Sequence, residues 1–277
     1  MIPADPLIFF LLFMPIIVFH QVFKKNWVDL EIKKAAIVGF SFGAISVFFT
    51  ILVFYPIEWF IGSDLRSFMV SPREWWISLL AGIAIIGLVE EAIKAGGGLL
   101  AAYLVPFNKR PTVVFMGFAS CALGFSFFEN IQYYAVFGAS VVLPRLIISS
   151  TAHIFFSSLC AVIAATALTR PRSDSVVSLR ILTGILISAV FHGVFDFFVF
   201  KFNIQETGGI LITCVAVFLL GIYEAWIATL RIDSQNSDGL MICSGCGAFS
   251  LGRARFCNFC GSRVVLSRRD FTIRLAK

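Results

Sequence analysis

Charge is what this chain has least of. Of its 277 residues only 14% are Asp, Glu, Lys or Arg, against 59% hydrophobic, where a soluble domain carries about a quarter charged residues. The deficit excludes an ordinary soluble domain, and a mean hydropathy of +0.92 points to an integral membrane protein. Histidine is scarce too. There are three, none in a His-Glu-x-x-His motif, so a catalytic metal centre would have to be assembled from separate helices. The N-terminus has no basic region, and no small-residue cleavage site follows its first apolar run, so no signal peptide is expected. Inverted internal repeats, common in transporters, are also missing.

What the chain does have is apolar runs. They extend from about Leu7 to Phe23, Ala35 to Ile61, Trp75 to Val105, Thr112 to Phe137, near Pro144 to Leu168, Ile181 to Phe200 and Gly208 to Leu230. The expected fold is all-α, a polytopic transmembrane helix bundle of about seven spans plus a small C-terminal zinc ribbon. Residues 1–232 make the membrane domain, with a core at about 75–200; 233–240 form a polar linker and 241–277 the ribbon with its basic tail. Trp75-Trp76 reads as an interfacial anchor, and Gly96-Gly97-Gly98 as a point of close helix packing.

Basic residues set the orientation. Lys24, Lys25, Lys33, Lys34, Lys109, Arg110, Arg170, Arg172 and Arg180 occupy the first, third and fifth connections, whereas the opposite connections hold Arg66, Arg73, Arg145 and Lys201. The positive-inside rule then puts the N-terminus outside and the C-terminal tail in the cytoplasm, where cysteines stay reduced. The net charge of +6, distributed this way, suits an anionic membrane surface better than nucleic acid.

The chemistry sits in the spans. Glu90, Glu91 and Lys94 lie inside the third apolar run, where ionisable groups are costly and mark function by default. On a helix Lys94 is within reach of both glutamates and can neutralise either, leaving the other for chemistry. The alternative is a salt bridge that only locks helix packing. Glu129 with Asn130, then His153, then His192 with Asp196 follow on three further spans. Counted from the outer end of each span, Glu129 and His192 lie about 12 Å deep, His153 about 18 Å and Glu90 about 22 Å. They form one layer, which packing pairs placed independently would have no reason to do. Imidazoles and a carboxylate are usual ligands of a catalytic zinc, with His153, His192 and Glu129 the candidate set. A neighbouring glutamate can act as general base and then acid. Asp196, four residues after His192, could orient its ring.

Glu90-Glu91-x-x-Lys94, Phe125-x-x-x-Glu129-Asn130, His153 and His192-x-x-x-Asp196, in this order over about Trp75 to Phe200, resemble the PrsW intramembrane proteases. That family is similar to the wider CAAX-prenyl-protease and bacteriocin-processing superfamily, which often has histidine where this chain has Glu129. The resemblance implies hydrolysis of peptide bonds in or near a bacterial cytoplasmic membrane, typically in a single-span anti-sigma factor. It implies Glu90 and Glu91 as the catalytic pair and the two histidines as metal ligands or oxyanion stabilisers, with or without a metal. Two other classes stay open: a proton-coupled transporter using the same acids and histidines, and a scaffold displaying the ribbon. A CAAX-type processing peptidase is the alternative within the same chemistry.

At the C-terminal end Cys243-x-x-Cys246-Gly247 and Cys257-x-x-Cys260-Gly261 read as two knuckles of a structural four-cysteine zinc site. So short a segment cannot hold a core unaided, and the metal would supply its folding energy. The glycine after each pair relieves the turn around the metal. Arg253, Arg255, Arg263, Arg268 and Arg269 make the ribbon basic, which suits the anionic inner leaflet.

Overall fold

The computed structural model describes residues 6–71, 74–105, 110–169, 173–201, 208–236, 240–242, 245–246, 249–251, 257 and 260–262. It is a helical bundle with, among the described residues, six helices long and apolar enough to cross a membrane. Two short helices come first, α1 (Pro6–Leu12) and α2 (Met14–Val22), interrupted at Phe13. They are followed by α3 (Leu30–Ile61), the short α4 (Leu65–Val70) and α5 (Trp75–Leu104). The remainder of the bundle is α6 (Pro111–Phe137), α7 (Ala139–Thr169), α8 (Asp174–Lys201) and α9 (Gly208–Asn236). The chain is thus a multi-pass integral membrane protein, and its first apolar run is the shorter α1–α2 pair.

Local chemistry explains where helices begin and end. Asp29 caps α3 by accepting from the amides of Glu31 and Ile32 at 3.0 and 3.3 Å, so this helix starts ahead of Ala35, where hydrophobicity alone would begin it. Gly62 closes it at φ 70°, a left-handed conformation that glycine adopts without strain. Asp64 then caps α4 through the Ser67 amide at 2.8 Å. Exposed Tyr55, Trp59, Phe60, Trp75 and Trp76 gather near this end of the bundle, as expected of a membrane-interface belt.

The central helix is α6, with 94% of its apolar window buried. It meets α3 backbone to backbone. A Cβ on Gly39 or Gly43 would run into the carbonyls of Gly117 and Cys121, and one on Gly124 into that of Phe40. Small residues spaced four apart allow such contact, and without a hydrophobic drive between helices in lipid it is the packing itself that holds them. The triple glycine of α5 behaves similarly: Gly97 faces Cys121 and Gly98 faces Phe118 on α6, while Gly96 meets nothing.

A second polar cluster ties the opposite end together. Arg110, at the start of α6, reaches Asp29 at 2.7 Å, Glu31 at 3.3 Å and Asp233 at 3.5 Å, and Thr112 donates to Asp233 at 2.7 Å. Burial opposes the guanidinium charge, but Asp29 and Asp233 outweigh it and raise the Arg110 pKa. Asp233, expected to open the linker, is therefore a buried part of α9, which continues to Asn236.

Beyond α9, β1 (Leu240–Ile242) pairs antiparallel with β2 (Phe249–Leu251). The Sγ atoms of Cys246 and Cys257 are 3.6 Å apart. Cys257 carbonyl accepts from the Gly261 amide at 2.9 Å, and Gly261 takes φ 72°, the tight turn expected after the second cysteine pair. Cys243 and Gly247 lie outside the described residues.

Candidate active site

Two π-helical turns prepare the site. Gly82–Gly87 precedes the glutamates in α5 and Arg145–Ser149 precedes His153 in α7; such turns break helical register and occur often at functional sites. The first lies directly against α8. A Cβ on Gly82 would crowd the Gly193 carbonyl, one on Gly87 the Ala189 carbonyl, and one on Gly193 the Ile83 amide. This approach brings α5 close enough for Glu91 to touch His192.

The ionisable groups form one contact network. Lys94, 1% exposed, donates to Glu90 at 3.1 Å, to Glu91 at 2.9 Å and to Nδ1 of His153 at 2.9 Å. It therefore holds both glutamates at once instead of choosing between them. Its ammonium also lies 4.1 Å from the Phe125 ring centroid, a favourable cation–π contact. Because an ammonium has no lone pair, neutral His153 must accept at Nδ1 and carry its proton at Nε2. That nitrogen faces Glu129 Oε2 at 2.8 Å, which also pairs with Arg145 at 2.7 Å.

His192 is held differently. Its Nδ1 meets Glu91 Oε1 at 2.9 Å, and Phe156 stacks on its ring with centroids 5.1 Å apart. Ser157 donates to the second oxygen of Glu91 at 3.1 Å. The ring is thus oriented by Glu91, whereas Asp196, expected in that role, stands 3.5 Å from the other nitrogen, Nε2. Glu90 is 3.7 Å from the same Nε2. With Nδ1 donating to Glu91, neutral His192 points a lone pair at Nε2 towards two carboxylates, a geometry that favours a cation or a proton between them.

Part of this network borders a cavity of about 860 Å³. Glu90, Glu129, His153, His192, Asp196 and Arg145 line its wall; Glu91, Lys94 and Asn130 do not. Exposed Asp64 and Arg66 and the end of α8 at Lys201 also line it, so the cavity reaches the α4 end of the bundle. The sequence-derived residues are therefore brought together, and they sort into a cavity-lining set and a supporting set.

Donor type, spacing and charge all suit a divalent cation. Ligand atoms of Glu90, His153 and His192 lie within 4.8 Å of one another, and one carboxylate with two imidazoles is a usual catalytic zinc set. Glu90 thus takes the place in this trio that Glu129 was expected to hold. If fully ionised, Glu90, Glu91, Glu129 and Asp196 exceed the fixed cations Lys94 and Arg145 by two negative charges. His153 has both nitrogens engaged, so it joins an ion only by releasing Lys94 or Glu129.

Sequence reading missed Arg145. Counted there as a loop cation near a span end, it lies within α7 and is half-buried against the cluster. Ser157 and Ser150 were also missed: serine is common in apolar helices and carries no spacing signal of its own.

Fold and site together define a multi-pass membrane protein with a carboxylate–imidazole centre at the end of an internal cavity. A model of the PrsW family intramembrane metalloproteases matches residues 31–222, and the chain belongs to that family. It is an intramembrane peptidase, which sets the transporter and scaffold readings aside. No curated protein and no solved structure matches it.

Proposed function

We propose that the cavity is the peptidase centre and that Glu90 is its general base. The observation that carries this is the convergence of Glu90, His153 and His192 ligand atoms within 4.8 Å on the cavity wall. Glu90 takes a proton from water, and the water oxygen bonds to the carbonyl carbon of the scissile amide. As the C–N bond breaks, Glu90 returns the proton to the leaving nitrogen. Glu91 does not reach the cavity; it positions His192 through Nδ1 and, with Lys94, holds Glu90 in place. A zinc ion here would be held by His192 and His153, with Glu90 beside it left uncoordinated as the base. Such an ion supplies Lewis acidity, polarising a carbonyl and acidifying water.

The substrate class is a membrane protein, with a single-span anti-sigma factor the leading candidate and a prenylated CAAX-type protein the alternative. The orientation read from basic residues makes the α4 end the outer face of a bacterial cytoplasmic membrane, so cleavage takes place in the outer half of the bilayer. Moving Arg145 out of the outer connections strengthens that charge asymmetry. Co-expression with candidate single-span anti-sigma factors tests the function: a cleavage product that needs Glu90 supports it, and intact substrate with every candidate contradicts it.

The domain after the linker is a cytoplasmic zinc ribbon whose basic composition suits the anionic inner leaflet. A tetrahedron with Zn–S of about 2.3 Å has sulfur–sulfur edges of about 3.8 Å, close to the 3.6 Å between Cys246 and Cys257. Zinc analysis of the purified protein is expected to show a loss of bound zinc in Cys257→Ser with cleavage retained. Unchanged zinc content in that variant would remove the ribbon assignment.

A further inference from the structure

Burying a guanidinium within a membrane span is unfavourable unless the span gives it partners. Arg145 has three, all from one turn of α6. Its Nη2 pairs with Glu129 Oε2 at 2.7 Å, its Nε donates to Asn130 Oδ1 at 3.0 Å, and its Cζ lies 3.5 Å from the Tyr133 ring centroid. Asn130 is fixed from the other side as well, since its Nδ2 donates to Ser150 Oγ at 3.0 Å, and Ser126 donates to the same oxygen at 2.7 Å. The charge beside Glu129, the Nε donor and the flat face of arginine are used together here, a combination that lysine cannot supply.

The contacts continue inward. Glu129 Oε2, held by Arg145, is the oxygen that meets Nε2 of His153. His153 in turn accepts from Lys94, which holds Glu90 and Glu91. Arg145 is thus the outermost member of a chain that fixes the tautomer and orientation of His153. Without it, Glu129 keeps His153 as its contact but loses the group that balances its charge and locks its rotamer.

We propose that Arg145 is a positioning residue for hydrolysis, holding Glu129 so that His153 presents one fixed face to the cavity. This rests on the cavity being the peptidase centre. In Arg145→Ala, kcat for a model single-span substrate is expected to fall about tenfold to a hundredfold, the effect of displacing a site group by around 1 Å, with KM within about threefold. Arg145→Lys should restore little of the loss, because charge without the Nε hydrogen bond to Asn130 and the stack on Tyr133 leaves Glu129 loose. Added guanidinium ion, which the cavity has room to admit, should raise the rate of Arg145→Ala, while methylammonium should not. Arg145→Gln, which keeps a polar side chain of similar length, provides the same comparison should the alanine variant fail to fold.

Wild-type kcat in Arg145→Ala, a change in KM alone, full recovery in Arg145→Lys, or a folded but guanidinium-insensitive alanine variant would each overturn the inference. A wild-type protein that cleaves no substrate would overturn the underlying reading as well. Normal wild-type cleavage with an unimpaired alanine variant would sink the role of Arg145 alone.

Discussion

Glu90→Gln is expected to lower kcat by about a hundredfold to ten-thousandfold, the usual effect of losing a general base. The amide keeps the shape of the side chain and can still contact Lys94, so the variant should insert, fold and bind substrate as the wild type does. Glu91→Gln should behave differently. Glu91 is enclosed by Lys94, Ser157 and His192, and an amide in its place can present an oxygen or an NH₂ to His192, but not both oxygens to its present donors. The expected result is a folded protein of lowered thermal stability and partly lowered kcat. Cleavage kinetics of both variants in detergent, with substrate binding measured separately, distinguish the two. Equal and full activity in both would remove the base from this motif.

Gly193→Ala is expected to be as damaging, though it alters no ionisable group. The added methyl would fall on the backbone of Ile83 and Gly82, and backbone atoms cannot yield as a flexible side chain does. Overpacking of this kind typically destabilises by about 1–3 kcal/mol. More importantly, α8 must move away from α5 and carry His192 with it, and a displacement of about 1 Å can lower the rate about a hundredfold. Gly96→Ala is the control. Among the described residues nothing lies within 4 Å of that added methyl, and alanine favours helix over glycine by about 1 kcal/mol, so stability should hold or rise. Thermal unfolding and cleavage rates of the pair separate close packing from a general intolerance of substitution on these helices.

The convergence of the site was legible in the sequence because helical rise converts residue position into distance along each span. Counting along four spans placed Glu90, Glu129, His153 and His192 in one layer, and the structure brings them to a single cavity. Rotation about each helix axis was not legible. Glu90 and Glu91 are adjacent in sequence, and only the packing of α5 against α8 turns Glu90 to the cavity and Glu91 to the His192 ring. The same limit affected Asp196. Its spacing from His192 fits one helical face, but the contact falls on Nε2, not on the Nδ1 that Glu91 occupies. Arg145 was passed over because a basic residue near a span end reads as a connection, whereas here the helix begins at Ala139 and draws it inside. The close packing of α3 on α6 did have a signal, Gly39-x-x-x-Gly43, whose small-residue spacing marks helix contact in membranes.

The central claim is that the cavity lined by Glu90, His153 and His192 is where the peptide is cut. The most direct measurement uses Glu90→Gln as a substrate trap with a photoreactive amino acid placed at Ile148 on the cavity wall. After illumination with a single-span substrate that the wild type cleaves, the crosslinked residues are mapped by mass spectrometry. Crosslinks within a few residues of the wild-type cut site are the expected result. Efficient substrate binding with crosslinks only to remote segments, or cleavage undiminished by the Glu90→Gln substitution itself, would contradict the assignment.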